Sequence, residues 1–386
     1  MVPGARPSSI LVSAGEPSGD RYAAGLVLAL KKRWPEASFF GCAGPELRRA
    51  GVDSVVDAAS LAVVGLAEVV THIPRIWREF RKLERAAAQR RPDLAILTDS
   101  PDFHLRLAPR LRAHNIPILY LVAPQVWAWR KGRIRTIRRN VNRLACIFPF
   151  EEEFFRNQGV PADYIGHPLA WLLRAGGGQE GFLSRHGLSS NKPVVALLPG
   201  SRPGEVGRHL PVLGEAVRQM ASKLDATFIM GLPPGLVERM GEAAFSARLG
   251  PAPIQVMEGE TWDLLSASTL ALAASGTVTV ECAMLGVPMV TFYRVSPATW
   301  ILGRPLVKVP FYTMVNLVAG RKIVPELVQK DCTGQRLSEE GLRLLTNSGE
   351  IERMKQGLAE VRRRLHPDAD PFERAASIAQ EILTRN

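Results

Sequence analysis

The sequence lacks the cysteine pattern of a disulfide-stabilised or zinc-binding protein. Its four cysteines are scattered over 386 residues, and none belongs to a CxxC pair. This spacing argues against a secreted disulfide scaffold and gives no metal or redox motif. The first eleven residues hold two prolines and an arginine instead of an apolar core. We therefore expect no signal peptide and a cytoplasmic protein.

The sequence also lacks an uncharged apolar run of about 20 residues, the length that a membrane-spanning helix needs. The nearest case, residues 264–280, is uncharged but rich in serine, threonine and glycine, and Glu281 follows it. We interpret it as a buried strand, a turn and a helix. With 46% hydrophobic and 22% charged residues, the composition excludes a disordered or collagen-like chain.

Positive charge is concentrated in one part of the chain. Between Arg75 and Arg143 there are 17 Lys and Arg against five Asp and Glu, a surplus that equals the formal net charge of +12. A local basic surface indicates a polyanionic partner, such as nucleic acid, a phosphorylated substrate or an anionic membrane surface. Neither an aromatic RNA-binding platform nor a zinc finger accompanies it, so we expect no nucleic-acid partner.

Apolar residues three or four positions apart, interleaved with arginines, predict an amphipathic helix over residues 66–83. Pro74 is expected to open the regular helix. Such a helix either packs its apolar stripe on a sheet or lies in a membrane interface. The residues that would face the membrane are Leu66, Val69, Val70, Ile73, Trp77 and Phe80.

A second basic segment, from Arg130 to Arg143, has seven Lys or Arg and no acid. Its arginines form either a solvated face or a phosphate-binding surface. An apolar stripe predicts that the segment is helical, and this stripe consists of Ile134, Ile137, Val141 and Leu144.

Short apolar strands alternate with helical patterns, which predicts parallel sheets with helices on both faces. The pattern restarts after the glycine-rich segment 175–192. We therefore predict an α/β protein with two Rossmann-like domains, residues 1–180 and 190–360. An amphipathic segment at 371–384 is expected to cross back, so residues 365–386 are assigned to the first domain.

The turn Ser275-Gly276-Thr277 carries the strongest signal for a ligand in the second domain. A glycine turn that opens a helix presents backbone N–H groups and a positive dipole to a phosphate. Glu281, one helical turn later, would accept hydrogen bonds from ribose hydroxyls. The alternative is a helix cap with Thr277 near the N-cap.

Another turn of the same domain, Pro199-Gly200-Ser201-Arg202, also follows a predicted strand. Arg202 would neutralise the diphosphate of a departing nucleotide. An ion pair between Arg202 and Glu205 is the alternative. Together the two turns favour a nucleotide site.

Acidic residues follow predicted strands of the first domain. Segment 15–20 is neither a dinucleotide fingerprint nor a P-loop, and it either holds a polar ligand or forms a plain turn. Asp99 and Asp102 come directly after a strand. A carboxylate there can act as a general base if burial raises its pKa from the ordinary value of about 3.9. Otherwise these residues cap the next helix, and Asp102 is the expected cap.

Further motifs stand in order between residue 10 and about residue 330. They are Gly15-Glu16-Pro17-Ser18-Gly19-Asp20, Ala43-Gly44-Pro45, Val64-Gly65 with Glu68, Asp99-Ser100-Pro101-Asp102-Phe103, Pro124-Gln125-Val126-Trp127-Ala128-Trp129-Arg130, Phe148-Pro149-Phe150-Glu151, Gly166-His167-Pro168, Leu198-Pro199-Gly200-Ser201-Arg202, Ala274-Ser275-Gly276-Thr277, Glu281, Asn316-Leu317 and Pro325-Glu326-Leu327. This ordered set resembles the lipid-A-disaccharide synthases, a family of glycosyltransferases with the GT-B fold.

The resemblance implies a GT-B architecture with a cleft between two Rossmann-like domains. It implies an inverting transfer of 2,3-diacylglucosamine from UDP-2,3-diacylglucosamine to the 6-hydroxyl of 2,3-diacylglucosamine 1-phosphate. The product is a β-1′,6-linked disaccharide, and UDP is released. The resemblance also implies no cofactor, no catalytic metal and a peripheral position on the inner face of the cytoplasmic membrane. The basic surplus would attract an anionic membrane surface as partner. The oligomeric state stays open, with a homodimer as one alternative.

The resemblance also assigns residues to roles. It makes Asp99 the general base. The residues that would hold UDP are Ser201, Arg202, Ser275, Gly276, Thr277, Glu281 and Asn316. Those that would line the acceptor side are Glu16, Ser18, Gln125, Trp127, Trp129 and Arg130.

One residue departs from the family pattern. His104 stands where the family usually has Asn, and it would tune Asp99, relay a proton or preserve a hydrogen bond. A UDP-sugar 2-epimerase on the same fold is the alternative function, and a non-enzymatic nucleotide- or membrane-binding module is a second. Neither would need Asp99 as the base of a glycosyl transfer.

Overall fold

The computed structural model describes residues 7–61, 66–128, 130–173, 178–189, 191–304, 307, 309–366 and 369–385. For residues 66–73, 131, 178, 179 and 302 it describes the backbone alone. The chain divides into two compact units. The first contains Met1–Trp171 and Leu365–Asn386, and the second contains Leu172–Arg364.

The first unit is built on a parallel sheet that has seven strands within the described residues, in the order β3-β2-β1-β4-β5-β6-β7. The strands are β1 Ser9–Ala14, β2 Ser38–Ala43, β3 Asp53–Asp57, β4 Leu94–Thr98, β5 Ile118–Leu121, β6 Arg143–Cys146 and β7 Ala162–Tyr164. Its helices are α1 Pro17–Arg33, α2 Pro45–Arg49, α3 Leu66–Arg90, α4 Pro101–Ala113, α5 Ile134–Asn140, α6 Pro149–Arg156 and α7 Leu169–Leu172. Short 3-10 helices cover Ala58–Ser60 and Lys131–Arg133.

The second unit repeats this plan. Its parallel sheet has six strands within the described residues, in the order β10-β9-β8-β11-β12-β13. The strands are β8 Val194–Leu198, β9 Thr227–Leu232, β10 Ile254–Glu258, β11 Leu270–Ala274, β12 Met289–Tyr293 and β13 Glu326–Val328. The helices are α8 Gly178–Arg185, α9 Pro203–Ala221, α10 Leu236–Met240, α11 Glu242–Leu249, α12 Thr261–Ala267, α13 Thr277–Leu285, α14 Pro297–Gly303, α15 Met314–Ala319, α16 Gly334–Thr346 and α17 Ser348–Leu365, with a 3-10 turn at Gln329–Asp331.

The central strands are continuous apolar runs because helices cover both of their faces. Every residue of β4, β5, β8 and β11 is buried. Several helices begin with proline at the first helical position, where no N–H group is needed; they include α1, α2, α4, α6 and α9. These prolines make the turns after the strands sharp.

The strand order puts the reversal point of each sheet between two strands whose carboxyl ends carry the predicted motifs. In the first sheet β1 pairs with β4, and in the second β8 pairs with β11. Ligands of such sheets bind outside the carboxyl ends of the strands at this reversal point. The predicted α/β class with two Rossmann-like domains is confirmed.

The chain ends with α18, Pro371–Arg385, which packs on α1, β5 and β6 of the first unit. The Arg33 guanidinium donates to the Glu373 carboxylate at 2.9 Å. The predicted return of the C-terminal helix to the first domain is confirmed.

The structure differs from the expected organisation at three places. Residues 178–185, expected within the linker 175–192, form α8, whose Phe182 and Leu183 are buried in the second unit; residues 175–177 lie outside the described part. Pro74 lies inside α3 instead of opening it. Leu144 belongs to strand β6 and not to the predicted basic helix, which ends at Asn140.

Candidate functional site

The carboxyl ends of β1 and β4 bring Asp99 onto the N-terminus of α1. Oδ1 of Asp99 accepts the N–H of Gly15 at 2.9 Å, and Oδ2 accepts the N–H of Glu16 at 3.1 Å. The Ser100 side chain also hydrogen-bonds the carboxylate. The acidic segments 15–20 and 99–102, which are 84 residues apart in the chain, therefore form one site.

Glycine at position 19 makes this approach possible. A Cβ atom on Gly19 would lie 1.6 Å from Oδ2 of Asp99, and one on Gly15 would lie 2.3 Å from the Ser100 hydroxyl. The two glycines of this turn are therefore explained by the close approach of the carboxylate to the first turn of α1.

The backbone at the carboxyl ends of β4 and β5 is strained. Asp99 and Ser100 adopt successive left-handed conformations, with φ of 54° and 39°, and Val122 has φ of 64°. Left-handed backbone is unfavourable for residues other than glycine, above all for a β-branched one such as valine. Strain of this kind concentrates at functional sites.

Burial and, less strongly, the neighbouring Glu16 carboxylate raise the pKa of Asp99 from its ordinary value to about 8. Hydrogen bonds from Ser100, Gly15 and Glu16 act in the opposite direction, but burial dominates. A carboxylate with this pKa can accept a proton from a hydroxyl far more readily than an ordinary aspartate. This is the environment that the general-base role requires.

His104 is buried and contacts the backbone of Asp99, not its carboxylate. Nδ1 of His104 lies 2.9 Å from the carbonyl oxygen of Asp99, and Nε2 lies 2.7 Å from the Ser13 hydroxyl. The Tyr120 hydroxyl donates to the same Asp99 carbonyl at 2.5 Å. Of the three roles considered for His104, this geometry favours the preserved hydrogen bond.

The neighbouring acidic residues have structural roles. The Asp20 carboxylate is buried and accepts the N–H groups of Gly44 at 2.7 Å and Glu46 at 2.8 Å, so it caps α2. Asp102 is not the expected helix cap, because its carboxylate pairs with Arg130 at 2.8 Å and with Arg133. These pairs connect the start of α4 with the basic segment after Trp129.

The segment 125–130 is only partly described. Gln125 is exposed, and Trp129 lies outside the described residues. Trp127 is half-buried, and its Nε1 donates to the buried Glu151 carboxylate at 3.1 Å. Burial raises the pKa of Glu151 to about 7. The motif around Phe148 and Glu151 therefore anchors Trp127, a function that no sequence pattern signalled.

In the second unit, the turn after β8 presents Ser201 and Arg202 to solvent at the start of α9. The Glu205 carboxylate accepts the N–H groups of both residues, which uses these amides internally. His209 fixes the turn from behind: it contacts the Pro199 carbonyl at 2.7 Å and accepts the Arg294 N–H at 3.1 Å. Sequence reasoning missed His209, because a histidine within a helix carries no signal of its own.

The turn after β11 opens α13, with Gly276 and Thr277 exposed at its first turn. No side-chain hydrogen bond caps this end of the helix, so the alternative interpretation, a helix cap with Thr277 near the N-cap, finds no support. The Ser275 hydroxyl donates to the Tyr312 carbonyl at 2.9 Å. Glu281 is half-buried in the same helix.

Asn316 was expected to bind the nucleotide, but all of its side-chain hydrogen bonds are internal. Its Nδ2 donates to the Val324 carbonyl at 3.0 Å and to Glu326 at 2.9 Å, and its Oδ1 accepts the N–H groups of Ile323 and Val324 at 2.8 and 3.0 Å. An amide side chain has two donors and two acceptor sites, so this buried residue is saturated by internal bonds. It shapes the loop that carries Tyr312.

Glu326 completes the same network. Its carboxylate accepts the N–H groups of Tyr312 and Thr313 at 3.0 and 2.9 Å, together with the Thr313 hydroxyl at 3.0 Å. The motifs around 316 and 325–327 are therefore two halves of one structural clamp.

Among the predicted membrane-facing residues, Trp77 is 53% exposed and Phe80 is buried in the core of the first unit. Phe80 is therefore wrong as a membrane contact, because it faces the sheet from α3. The Trp77 and Phe80 rings are stacked with their centroids 5.3 Å apart, and the Arg81 guanidinium carbon lies 5.8 Å from the centroid of the Trp77 ring. The side chains of Leu66, Val69, Val70 and Ile73 lie outside the described residues.

The described residues contain neither a membrane-spanning helix nor a metal-binding cluster. No helix in this part of the chain is both long and apolar enough to cross a membrane. The same residues contain no group of three or more His, Cys, Asp or Glu arranged to hold a metal ion. Asp370 accepts the Phe372 N–H at 2.8 Å and thus caps α18.

Comparison with solved structures defines the class of fold. The crystal structure of the calicheamicin glycosyltransferase is similar with a TM-score of 0.60 and 17% identity, over 99% of both chains. UDP-GlcNAc 2-epimerase from Neisseria meningitidis, bound to UDP-GlcNAc, gives a TM-score of 0.65 and 14% identity, over 98% of this chain and 99% of that one. The chain has the GT-B fold, and at these identities the similarity extends to the fold alone.

Comparison of sequences identifies the family. The profile described as lipid-A-disaccharide synthetase matches residues 10–382. Lipid-A-disaccharide synthase of Solibacter usitatus is 56% identical over 374 residues, 97% of each chain, and that of Myxococcus xanthus is 44% identical over 378 residues, 98% of each. The chain belongs to the lipid-A-disaccharide synthase family. The epimerase alternative therefore has only the shared fold in its favour.

Proposed function

We propose that Asp99 is the general base of the glycosyl transfer that this chain catalyses. As a member of the lipid-A-disaccharide synthase family, the chain is a glycosyltransferase that joins 2,3-diacylglucosamine from its UDP derivative to 2,3-diacylglucosamine 1-phosphate. The observation that supports the base is the half-buried carboxylate at the carboxyl end of β4, whose pKa burial raises to about 8.

The proposed step is a single displacement. Asp99 takes the proton of the acceptor 6-hydroxyl as the oxygen of that hydroxyl attacks C1 of the donor sugar. The bond from C1 to the UDP oxygen breaks, and UDP leaves with the electron pair. Attack from the face opposite UDP inverts C1 and gives the β-1′,6 linkage. A positioned base of this kind contributes about 10²–10⁴-fold to the rate.

UDP is proposed to bind the second unit at the carboxyl ends of β8 and β11. The exposed first turn of α13 offers backbone N–H groups and a positive dipole to the diphosphate. The exposed Arg202 supplies positive charge to the leaving group. The contacting residues are Ser201, Arg202, Ser275, Gly276, Thr277 and Glu281, while Asn316 acts through the backbone of its loop.

The acceptor sugar is proposed to bind the first unit around Asp99. Glu16 donates its N–H group to the Asp99 carboxylate, Ser18 is half-buried at the start of α1, and Arg130 stands at the start of the basic segment. A basic group there suits the 1-phosphate of the acceptor. Gln125, Trp127 and Trp129 remain proposed lining residues on the strength of the family motif.

The acylated substrates suggest why part of the first unit would meet a lipid surface. The exposed Trp77 and its arginine neighbours on α3 suit the interface of an anionic membrane. We propose a peripheral position on the inner face of the cytoplasmic membrane. A homodimer stays a prediction.

The experiment that tests this function measures UDP release from UDP-2,3-diacylglucosamine in detergent containing EDTA. Parallel reactions contain or omit 2,3-diacylglucosamine 1-phosphate. The proposal predicts release only with the acceptor, together with a disaccharide product and no need for a divalent cation. UDP release or epimerised UDP-sugar without the acceptor would contradict it, and so would a requirement for added metal.

A further inference from the structure

The main-chain carbonyl of Asp99 receives hydrogen bonds from two side chains. The donors are the Tyr120 hydroxyl at 2.5 Å and Nδ1 of His104 at 2.9 Å. Both side chains are fully buried. Their rings also pack edge to face, with centroids 6.3 Å apart. Two separate elements, β5 and α4, therefore converge on one carbonyl oxygen.

The chemistry of His104 fixes the direction of its bond. Burial lowers the pKa of His104 to about 4, so the ring is neutral and carries one N–H. Because a carbonyl oxygen only accepts, this proton is on Nδ1, and Nε2 accepts the Ser13 hydroxyl. Both ring nitrogens therefore have partners other than the Asp99 carboxylate. His104 is thus not placed to receive the proton that this carboxylate takes from the substrate.

The two bonds act at the point where the backbone is strained. Among the described non-glycine residues, Asp99 and Ser100 are two consecutive positions that both have left-handed backbone. Such a conformation persists only when its surroundings over-determine it. A change of φ at Asp99, which is a rotation about its N–Cα bond, would turn the carbonyl away from Tyr120 and His104. Because Cβ turns together with the carbonyl in this rotation, the carboxylate would also move away from the N–H groups of Gly15 and Glu16.

We propose that Tyr120 and His104 are positioning residues, which hold Asp99 in the left-handed conformation that aims its carboxylate at the acceptor hydroxyl. This inference rests on the proposed role of Asp99 as the base. Proton transfer requires the carboxylate within about 2.6–3.2 Å of the hydroxyl. A displacement of about 1 Å can lower the rate about 10²-fold.

The test compares four variants of the full chain: Tyr120→Phe, His104→Leu, the double variant, and His104→Asn. Phe and Leu keep the apolar volume but remove the donor. Asn keeps an N–H group near the position of Nδ1 and is the residue that the family usually has here. Tyr164→Phe, which removes a tyrosine hydroxyl on β7 of the same sheet, is the matched control.

We expect each single donor loss to lower kcat about tenfold, since one hydrogen bond contributes on the order of a tenfold factor. The double variant should lose more than about 100-fold, because it leaves the strained carbonyl buried without a donor. KM for the UDP-sugar should stay within about twofold, since the UDP-sugar is proposed to bind the second unit. His104→Asn should restore most of the activity that His104→Leu loses, and Tyr164→Phe should keep kcat.

Asp99→Ala is assayed in parallel to separate two failures. If Asp99→Ala is inactive while the double variant keeps the original kcat, the positioning role is wrong and the base stands. If kcat falls but His104→Asn is as poor as His104→Leu, or KM rises in step, the positioning role is again overturned. If Asp99→Ala retains activity, the proposed function loses its base, and the role of Tyr120 and His104 falls with it.

Discussion

The environment of Asp99 shows how a single residue acquires a chemical role. Ordinary aspartates are ionised at neutral pH and hold protons poorly. Here burial and the Glu16 carboxylate raise the pKa of Asp99 to about 8, against the effect of three hydrogen bonds. The same amides that anchor the carboxylate also set its direction. The hydrogen bonds therefore fix the position of the carboxylate, while burial and the Glu16 charge make it more basic.

This pKa predicts the pH dependence of the reaction. A base acts only when deprotonated, so kcat/KM should fall about tenfold per pH unit as the pH drops below about 8. Glu16→Gln removes the neighbouring negative charge, and it should therefore move this midpoint to lower pH. Glu46→Gln, which changes an exposed carboxylate paired with Arg49, should leave the midpoint in place. A midpoint near 4 in the unaltered chain would contradict the assignment.

The second prediction concerns Gly19, which leaves room for the Asp99 carboxylate. Gly19→Ala places a methyl group 1.6 Å from Oδ2 of Asp99, so the carboxylate must move. Turnover should fall by at least about 10²-fold, since geometry at a reacting group is that sensitive. Gly181→Ala adds the same methyl group to α8, where the nearest atom is an Arg185 nitrogen at 3.7 Å, and turnover should not change. Equal activity of the two variants would refute the argument.

Much of the site could be predicted at this scale, because acidic and glycine residues after strands have few structural explanations. Asp99, Ser275 and Gly276 lie at the strand ends where the sequence pattern put them. Asn316 was expected to bind the nucleotide and Asp102 to cap a helix, but a polar side chain forms a structural clamp or an ion pair as readily as it binds a ligand or caps a helix. The residues that pair with such side chains are distant in the sequence. Glu326, for example, accepts a hydrogen bond from Asn316, and no local pattern connects the two.

At the scale of elements, the clamp formed by Asn316 and Glu326 supports the end of the second unit where UDP is proposed to bind. Asn316→Ala removes four hydrogen bonds and leaves buried backbone groups unpaired. The free energy of unfolding should fall by about 3 kcal/mol. UDP affinity should fall as well, because the Tyr312 carbonyl no longer holds Ser275. Asn191→Ala, at an exposed position, serves as the control in denaturant unfolding and UDP titration, and equal stability of both variants would contradict the clamp.

Helix α3 carries the membrane proposal. Trp77→Ser should weaken binding to anionic phospholipid vesicles by about fivefold or more in co-sedimentation, since an interfacial tryptophan buries its ring among the lipids. Trp171→Ser changes another partly exposed tryptophan and should bind as the original chain does. Equal weakening of both variants, or none in Trp77→Ser, would contradict a contact through α3.

Elements with a strong periodic signal could be predicted, and short ones could not. The central strands β1, β4, β8 and β11 are apolar runs between clear turns. Strands β3 and β7 have five and three residues and carry aspartates, so only pairing in the sheet defines them. Pro74 was expected to begin α3, but it lies inside the helix, where it cannot donate the hydrogen bond to the preceding turn that other residues make.

At the scale of the whole molecule, the two units share a strand order without a detectable sequence repeat. In each unit we propose that a ligand binds at the carboxyl ends of the two central strands, yet the charges of the two units differ. The basic surplus of residues 75–143 belongs to the first unit, and the remainder of the chain is balanced. This distribution suits one unit for a lipid phosphate at a membrane and the other for a nucleotide.

The central claim is that Asp99 is the base of a glycosyl transfer, and one measurement addresses it directly. Turnover and UDP affinity are determined for Asp99→Ala and the original chain, with Asp93→Ala as a control at an exposed aspartate of the same unit. If Asp99 is the base, Asp99→Ala should lose at least about 10²-fold in turnover while its affinity for UDP is unchanged. Turnover equal to that of the original chain, in a folded protein that binds UDP, would contradict it.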